Sequence, residues 1–227
     1  MGGRTGPDLC GLITMLCKVM ARPSILAWKA AMQCLAFCYQ NKMTLGIRYR
    51  SDGNRHPQAA YDSSNKGDIH DAKAQYGYAI HLFDGPIIWA AKKHAHVGTS
   101  STHNEYMALY HLVRAIVWLR QLITEVGLDG ELLDGPTLAL GDNDQATNLC
   151  YDDVVTVGNK FYHMMYHFSK EMYEAKQIAP LRIDTKDNWA DLMTKSVDGI
   201  TYRRLAPILC GHSDELMPIY VNNEVRD

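Results

Sequence analysis

No run of about eighteen apolar residues occurs in this chain, and no early segment has the shape of a secretory leader, so neither a membrane span nor export is expected. The six cysteines, at 10, 17, 34, 38, 150 and 210, include no CxxC pair, which removes the common zinc and dithiol spacings. Cys34 and Cys38 share a helix face, yet no second Cys or His pair has matching spacing to complete a metal site. Charge excess is missing too. Lys plus Arg is 23 against 25 for Asp plus Glu, a formal net charge of -2, which excludes a grip on nucleic acid by bulk positive charge while leaving room for a local basic rim. Repeats and low-complexity segments are absent. What remains is an intracellular chain, cytoplasmic or nuclear, with reduced thiols. Its 227 residues, 47% of them hydrophobic, suffice for one sizeable domain and an appendage.

Leu9, Leu12, Ile13, Leu16 and Met20 recur at helical spacing until Pro23 stops the pattern. Ser24 is a plausible N-cap for a second helix whose Trp28, Met32, Leu35 and Tyr39 make one face. Nothing before residue 50 supplies a sheet for these helices to cover, so residues 1–50 read as a helical remnant. Residues 51–57, rich in Ser, Asp, Gly, Asn and Pro, read as a linker, 58–206 as the main domain and 207–227 as a tail. In the main domain three extended segments, Gln58 to Asp62, Gln75 to Phe83 and Pro86 to Ala91, predict antiparallel strands with Asp84-Gly85 as a hairpin turn. A long helix from Thr102 to about Val126 follows, with Leu109, Leu112, Ile116, Leu119 and Ile123 on one stripe. Then come a strand at Thr137 to Gly141, helices at Gln145 to Cys150 and Asn159 to Ala175, a strand at Ile178 to Ile183 and a helix at Asn188 to Lys195. Strands first, then alternating helix and strand, predict an α/β fold: a mixed sheet with helices on its faces.

Four acids stand at the ends of these elements: Asp62, Glu105, Asp142 and Asp191. Each has an ordinary alternative. Asp62 suits a turn, Asp142 an N-cap, and Asp191 the positive end of a helix dipole. Glu105, three residues after Thr102, suits a capping box in which threonine is the N-cap and glutamate reaches back to its amide. Four carboxylates gathered at one sheet edge would repel one another, and a divalent pair would relieve that repulsion. Hard oxygen ligands suit Mg²⁺, and two such ions about 4 Å apart form a clamp that cleaves phosphodiesters.

The motifs around these acids resemble a known family. Tyr61-Asp62 through Gly67-Asp68, Gly85-Pro86-Ile87-Ile88-Trp89, Lys92-Lys93, Ser100-Ser101-Thr102 with Glu105-Tyr106-Met107-Ala108-Leu109, Asp142-Asn143, and Thr185-Lys186-Asp187 to Ala190-Asp191-Leu192-Met193-Thr194-Lys195 are similar, in order and spacing, to the ribonuclease H domain of copia-type retrotransposon polyproteins. Met20-Ala21-Arg22-Pro23-Ser24 and Trp28-Lys29-Ala30-Ala31 are similar to the last helices of the preceding reverse transcriptase. The resemblance implies a ribonuclease H-like five-stranded sheet, and an endonuclease that hydrolyses the RNA strand of RNA/DNA hybrids within a Pol polyprotein. It implies Asp62, Glu105, Asp142 and Asp191 as catalytic residues holding two Mg²⁺ ions, which Mn²⁺ can replace. Lys92, Lys93, Ser100, Ser101, Thr102 and Asn143, the polar groups nearest the acids in sequence, are the expected nucleic-acid contacts. Expected partners are the hybrid and the rest of the polyprotein, reverse transcriptase included, with no membrane. Ser64, Asn65 and Lys66 stand where the family has further acids and a tryptophan, and Lys160-Phe161-Tyr162 where it has Lys-His-Ile.

Other readings stay open. The chain is alternatively a decayed or host-adopted fragment that binds nucleic acid or protein, or an interaction domain whose acids are only caps and turns. An integrase-type nuclease is disfavoured, because there the glutamate comes last in sequence and here Glu105 comes second. Tyr151-Asp152-Asp153 echoes a polymerase motif but follows a short helix rather than joining two strands, so it reads as a solvated loop. His94, His96, His163 and His167 lack a zinc-site pattern with a companion glutamate and read as packing or surface residues.

Overall fold

In a computed structural model, residues 6–41, 46–64, 72–98, 100–148, 150–151 and 163–213 are described, the side chains of 163 and 164 excepted. Helix α1 (Pro7–Cys17) and α2 (Ile25–Gln40) come first, followed by strands β1 (Gln58–Ser63), β2 (Gln75–Leu82) and β3 (Gly85–Lys93). Helix α3 (Ser101–Glu125) and the single turn α4 (Asp129–Leu132) lead to β4 (Thr137–Gly141) and α5 (Asp144–Asn148). The remaining elements are α6 (His163–Glu174), β5 (Ile178–Arg182), α7 (Asp191–Thr194) and α8 (Gly199–Leu209). The expected mixed five-stranded sheet forms in the order β3-β2-β1-β4-β5. β1 and β2 pair antiparallel, as do β2 and β3, while β1 with β4 and β4 with β5 run parallel.

β1 lies at the centre and all six of its residues are buried, as a strand covered on both faces requires. Its alternation divides the core. Ala59 and Tyr61 face the cluster under α3, with Ile80, Leu109, Leu112 and Ile116, whereas Ala60 faces the other cluster, with Ala79, Leu140, Trp189, Met193 and Leu205. The stripe expected on α3 is buried in full, from Leu109 through Leu112, Ile116 and Leu119 to Ile123.

The opposite face is assembled from short pieces. α1, placed by the sequence with the N-terminal remnant, lies against α7 and β3: Cys10 joins the second core cluster and the Thr14 hydroxyl donates to the Ala91 carbonyl at 3.1 Å. A Cβ added at Gly11 would meet the Leu192 carbonyl oxygen at 2.3 Å, and one at Gly77 would meet Met193 Cβ at 2.4 Å, so α7 is pressed between two positions that only glycine fits. α8 extends through Leu209, past the expected tail boundary at 207, and Leu209 and Cys210 are buried. α2 begins where expected, with Ser24 accepting from the Ala27 amide, yet none of its residues is buried. The face predicted for packing points outward, with Trp28 65% and Tyr39 71% exposed.

Two local expectations change. The β2–β3 turn centres on Phe83 and Asp84, both at positive φ, rather than on Asp84-Gly85, and Gly85 is the first residue of β3. The Asp84 carboxylate accepts the Asn54 amide at 3.0 Å and the Arg50 amide donates to the Phe83 carbonyl, so the strap at residues 48–54 holds this uncommon turn. The expected helix over Asn188 to Lys195 is a 3-10 turn at Thr185–Asp187 followed by α7 alone, because the Asn188 side chain turns inward to β1 instead of opening a helix. Three cysteines, Cys10, Cys150 and Cys210, are buried thiols. No described helix is long and apolar enough to cross a membrane.

Candidate metal centre

Asp62 is the fifth residue of β1 and is fully buried. Glu105 is the fifth residue of α3, 4% exposed, and Asp142 follows the last residue of β4. One oxygen from each of these three carboxylates lies within 4.8 Å of the others, the only such group of metal-binding side chains among the described residues. Asp191 opens α7 and is not part of that trio, but it reaches Asp62 through Lys195, whose ammonium lies 3.0 Å from Asp62 Oδ1 and 2.8 Å from Asp191 Oδ1.

The capping-box alternative for Glu105 does not hold. Ser100, not Thr102, is the N-cap, and its hydroxyl accepts from the His103 amide at 3.1 Å. Thr102 is already inside the helix and donates to Gln145 Oε1 at 2.7 Å. Glu105 Oε2 instead accepts the Ser63 amide at 3.1 Å, the residue after Asp62, which draws the helix onto the end of β1. Asp142 is not a cap either, since Asn143 Oδ1 accepts the Ala146 amide and takes that role for α5. Asp191 sits in the first turn of α7 as expected. Asn188, fully buried, places it: its side-chain amide donates to the Tyr61 carbonyl at 3.0 Å and its side-chain oxygen accepts the Ala190 amide. Gln75 holds the far end of α7 through Nε2 to the Met193 carbonyl at 2.5 Å.

Charge is concentrated here against its own preference. Burial, with the neighbouring Asp62 and Asp142 carboxylates, pushes the Glu105 carboxyl up to about 10. Burial also raises Asp62, against the opposing pull of Lys195 and Thr194, and burial with Asp62 nearby raises Asp191 to about 7. For Lys195, burial opposes the charge, but the Asp62 and Asp191 carboxylates outweigh it and hold its pKa above the usual lysine value. Three converging hard oxygen donors that repel one another fit a divalent cation such as Mg²⁺, and the chain supplies that locus with the donor chemistry such an ion takes.

A cleft of about 430 Å³ opens over Glu105 and Asp142, with Asp62 buried beneath and outside its lining, which is formed by Ser101, Thr102, Glu105, Asp142, Asn143, Asp144, Gln145, Arg182 and Lys195. Ser101, Thr102 and Asn143 are therefore beside the acids, as the sequence reading places them. Ser100 caps α3 without lining the cleft, and Lys92 and Lys93 lie on the edge strand β3, outside its lining. Gln145, Arg182 and Lys195 were not anticipated. Lys195 had a usable signal, since an acid and a lysine four apart on a helix face each other, while Arg182 gave none. His94 is buried, with Nε2 3.1 Å from Ser63 Oγ and its ring 4.9 Å from that of Tyr76, on which His111 stacks at 4.2 Å. Burial lowers His94 and His111 to about 4, so both are neutral packing groups. His96 and His167 are exposed, and the His163 side chain, Asp152, Asp153, Asn65, Lys66 and Lys160 to Tyr162 fall outside the description.

No protein-family model matches the chain. A retrovirus-related Pol polyprotein from transposon RE2 of Arabidopsis thaliana is 27% identical over 202 residues, 89% of this chain, and this chain spans only 14% of that polyprotein. A secreted RxLR effector protein of Plasmopara viticola is 30% identical over 115 residues, covering 51% of this chain and 80% of the effector. Among solved structures, the ribonuclease H1 of the halophilic archaeon Halobacterium salinarum superposes with a TM-score of 0.44 and 14% identity, covering 61% of this chain and 94% of that one. Over 89% of its length the chain is similar to retrovirus-related Pol polyproteins of copia-type transposons, of which it spans only a small part, and its mixed five-stranded sheet has the ribonuclease H-like fold.

Proposed function

We propose that the chain is a metal-dependent endonuclease of the ribonuclease H type, acting on the RNA strand of RNA/DNA hybrids within a retrotransposon Pol protein. The observation that carries this reading is the convergence of Asp62, Glu105 and Asp142 within 4.8 Å of one another, two of them lining an open polar cleft. When bound, Mg²⁺ would supply Lewis-acid stabilisation of charge at a scissile phosphate and an activated water, with Asp62, Glu105 and Asp142, and Asp191 beside them, as the groups that hold it. The chain's own contributions are positional. The Ser63 amide orients Glu105, the Asn188 and Gln75 side chains fix α7 against β1 and β2, and the Thr102–Gln145 hydrogen bond ties the start of α3 to α5 across the cleft.

Ser101, Thr102, Asn143 and Gln145 offer uncharged polar groups along the rim, suited to sugar and phosphate oxygens rather than to base edges. Preference for RNA would come from 2′-hydroxyls in a wide, shallow minor groove. With a net charge of -2, hybrid affinity rests on a few local cations, so its salt dependence should correspond to about two to five phosphate contacts. A labelled RNA/DNA hybrid incubated with the full chain, with Mg²⁺ and with chelator, tests the reading directly. Mg²⁺-dependent cutting of the RNA strand alone is expected. Hybrid binding with no cutting in Mg²⁺ or Mn²⁺ would make the chain a binding module instead.

A further inference from the structure

The four acids divide into two loci that share Asp62. One is the trio with Glu105 and Asp142, and neither of those two carboxylates has a bonded lysine or arginine among the described residues. The other lies between Asp62 and Asp191, where the Lys195 ammonium bonds both at 3.0 and 2.8 Å. The second oxygen of Asp62 accepts the Thr194 hydroxyl, so the lysine holds the oxygen that remains. Lys195 is not locked in place. Its side chain is 35% exposed and lines the same 430 Å³ cleft as Glu105 and Asp142, and lysine carries its charge on a flexible stem without a fixed fork of donors.

We propose, resting on the metal-dependent reading above, that Lys195 is a resident counter-cation of the Asp62–Asp191 locus, which takes a divalent ion only when the lysine withdraws into the cleft. An ammonium and a divalent ion cannot both sit on the same two carboxylate oxygens, because at such separations their repulsion in a half-buried setting is large. Lys195 touches the trio only through Asp62 and leaves Glu105 and Asp142 to an incoming ion, so the trio fills first. The two loci therefore differ in affinity although both are built from aspartate and glutamate. Once withdrawn, the ammonium stands in the cleft where a phosphodiester would lie, so an anion bound there and an ion at the second locus favour each other, reciprocally. Lys195 is thus a positioning residue that makes full metal loading depend on the substrate's charge.

The test is calorimetric titration of the full chain with Mn²⁺, without nucleic acid, comparing the parent with Lys195→Met and Lys195→Arg. The parent should bind one ion readily and a second more weakly. Lys195→Met should bind the second about tenfold more tightly than the parent does, within the ordinary range for two ligands coupled through one site, and Lys195→Arg no more tightly than the parent. A second-ion affinity in Lys195→Met that equals or falls below the parent's overturns the proposal while leaving the metal reading intact. Absence of any bound ion in parent and variants removes both. The parent alone gives an independent measurement in case the methionine variant does not fold: reductive methylation of Lys195, followed by mass spectrometry, should speed up several-fold when Mn²⁺ is added in excess over both loci. An unchanged or slower rate at Lys195 overturns the proposal.

Discussion

The two faces of the sheet are built by opposite means, and each delivers one acid to β1. Under one face a single 25-residue helix, α3, buries a continuous apolar stripe and carries Glu105 at its start. The other face is covered by α1, α7 and α8, which come from both ends of the chain, and it carries Asp191 on a helix of four residues with Lys195 directly after it. A four-residue helix has no stability of its own. Asp191 is therefore held by what surrounds α7: Asn188, Gln75, Gly77 on one side and Gly11 on the other. The face that looks self-sufficient brings Glu105 to the trio, and the composite face brings Asp191 and the lysine that bonds Asp62.

The largest effect should come from the α3 face. Glu105→Gln keeps the Ser100 cap and a side chain able to accept from Ser63, but removes one hard ligand. Hybrid cleavage should drop by about two orders of magnitude or more, since several kcal/mol of charge stabilisation at about 1.36 kcal/mol per decade are at stake. In chelator the variant should melt no lower than the parent, because folding no longer has to protonate Glu105 or bury its charge, and added Mg²⁺ should raise its melting temperature less. Equal Mg²⁺ responses and unchanged cleavage would take Glu105 out of the site.

On the composite face, removing residues 1–23, and α1 with them, should cost several kcal/mol of stability, since Leu9 and Cys10 leave the core and α7 loses its outer support. Denaturant unfolding of the truncated chain measures this; a midpoint equal to that of the full chain would place α1 outside the folding unit. Gly11→Ala is the finer probe. Helix propensity alone favours alanine by about 1 kcal/mol, but a Cβ 2.3 Å from the Leu192 carbonyl and 2.7 Å from Met193 Cα must move backbone, and overpacking of this kind costs about 1–3 kcal/mol. The steric term should win, and a more stable Gly11→Ala would show that α7 is free to shift.

Acidity distinguishes the site from its packing. Glu105, raised to about 10, holds in the folded state a proton that the unfolded chain releases near its ordinary value, so in chelator its contribution to stability is lost as pH rises from there toward 10, with Asp191 adding a loss that is complete by about 7. His81, His94 and His111, lowered to about 4 by burial, act in the other direction: the unfolded chain takes up their protons below about 6.5, and stability falls as pH drops from there toward 4. Melts across pH in chelator should show both limbs, and saturating Mg²⁺ should remove the alkaline one alone. The smallest effect belongs to α2, where Trp28→Ser should change stability by no more than about 0.5 kcal/mol.

The sequence made α3 and the sheet legible because period and length agree there, and it singled out four acids near element ends, of which the structure draws Asp62, Glu105 and Asp142 together. What it left ambiguous has physical causes. Three consecutive capping-competent residues, Ser100, Ser101 and Thr102, make the cap position undecidable by pattern, and only the pull of the Ser63 amide shows where Glu105 points. The stripe on α2 is as regular as that on α3, yet regular spacing says that a helix has an apolar face and not that anything covers it. Asn188 reads as a helix opener because nothing local reveals that Tyr61, 127 residues earlier, will present it with a carbonyl.

The sheet order bears on how the site comes into being. β1, β2 and β3 are joined by short-range antiparallel pairings, whereas Asp62 meets Asp142 only after β1 pairs in parallel with β4 across the whole of α3, a closure between segments some 80 residues apart. Non-local pairing of this sort pays its loop entropy before it gains contacts. The carboxylates are therefore distant from one another while most of the chain is finding its place, and they begin to repel only when the hydrophobic core is already closing around them. Synthesis order reinforces this, because α7 and Lys195 emerge from the ribosome after β1, α3 and β4, so the ammonium that quiets Asp62 arrives after all three carboxylates of the trio.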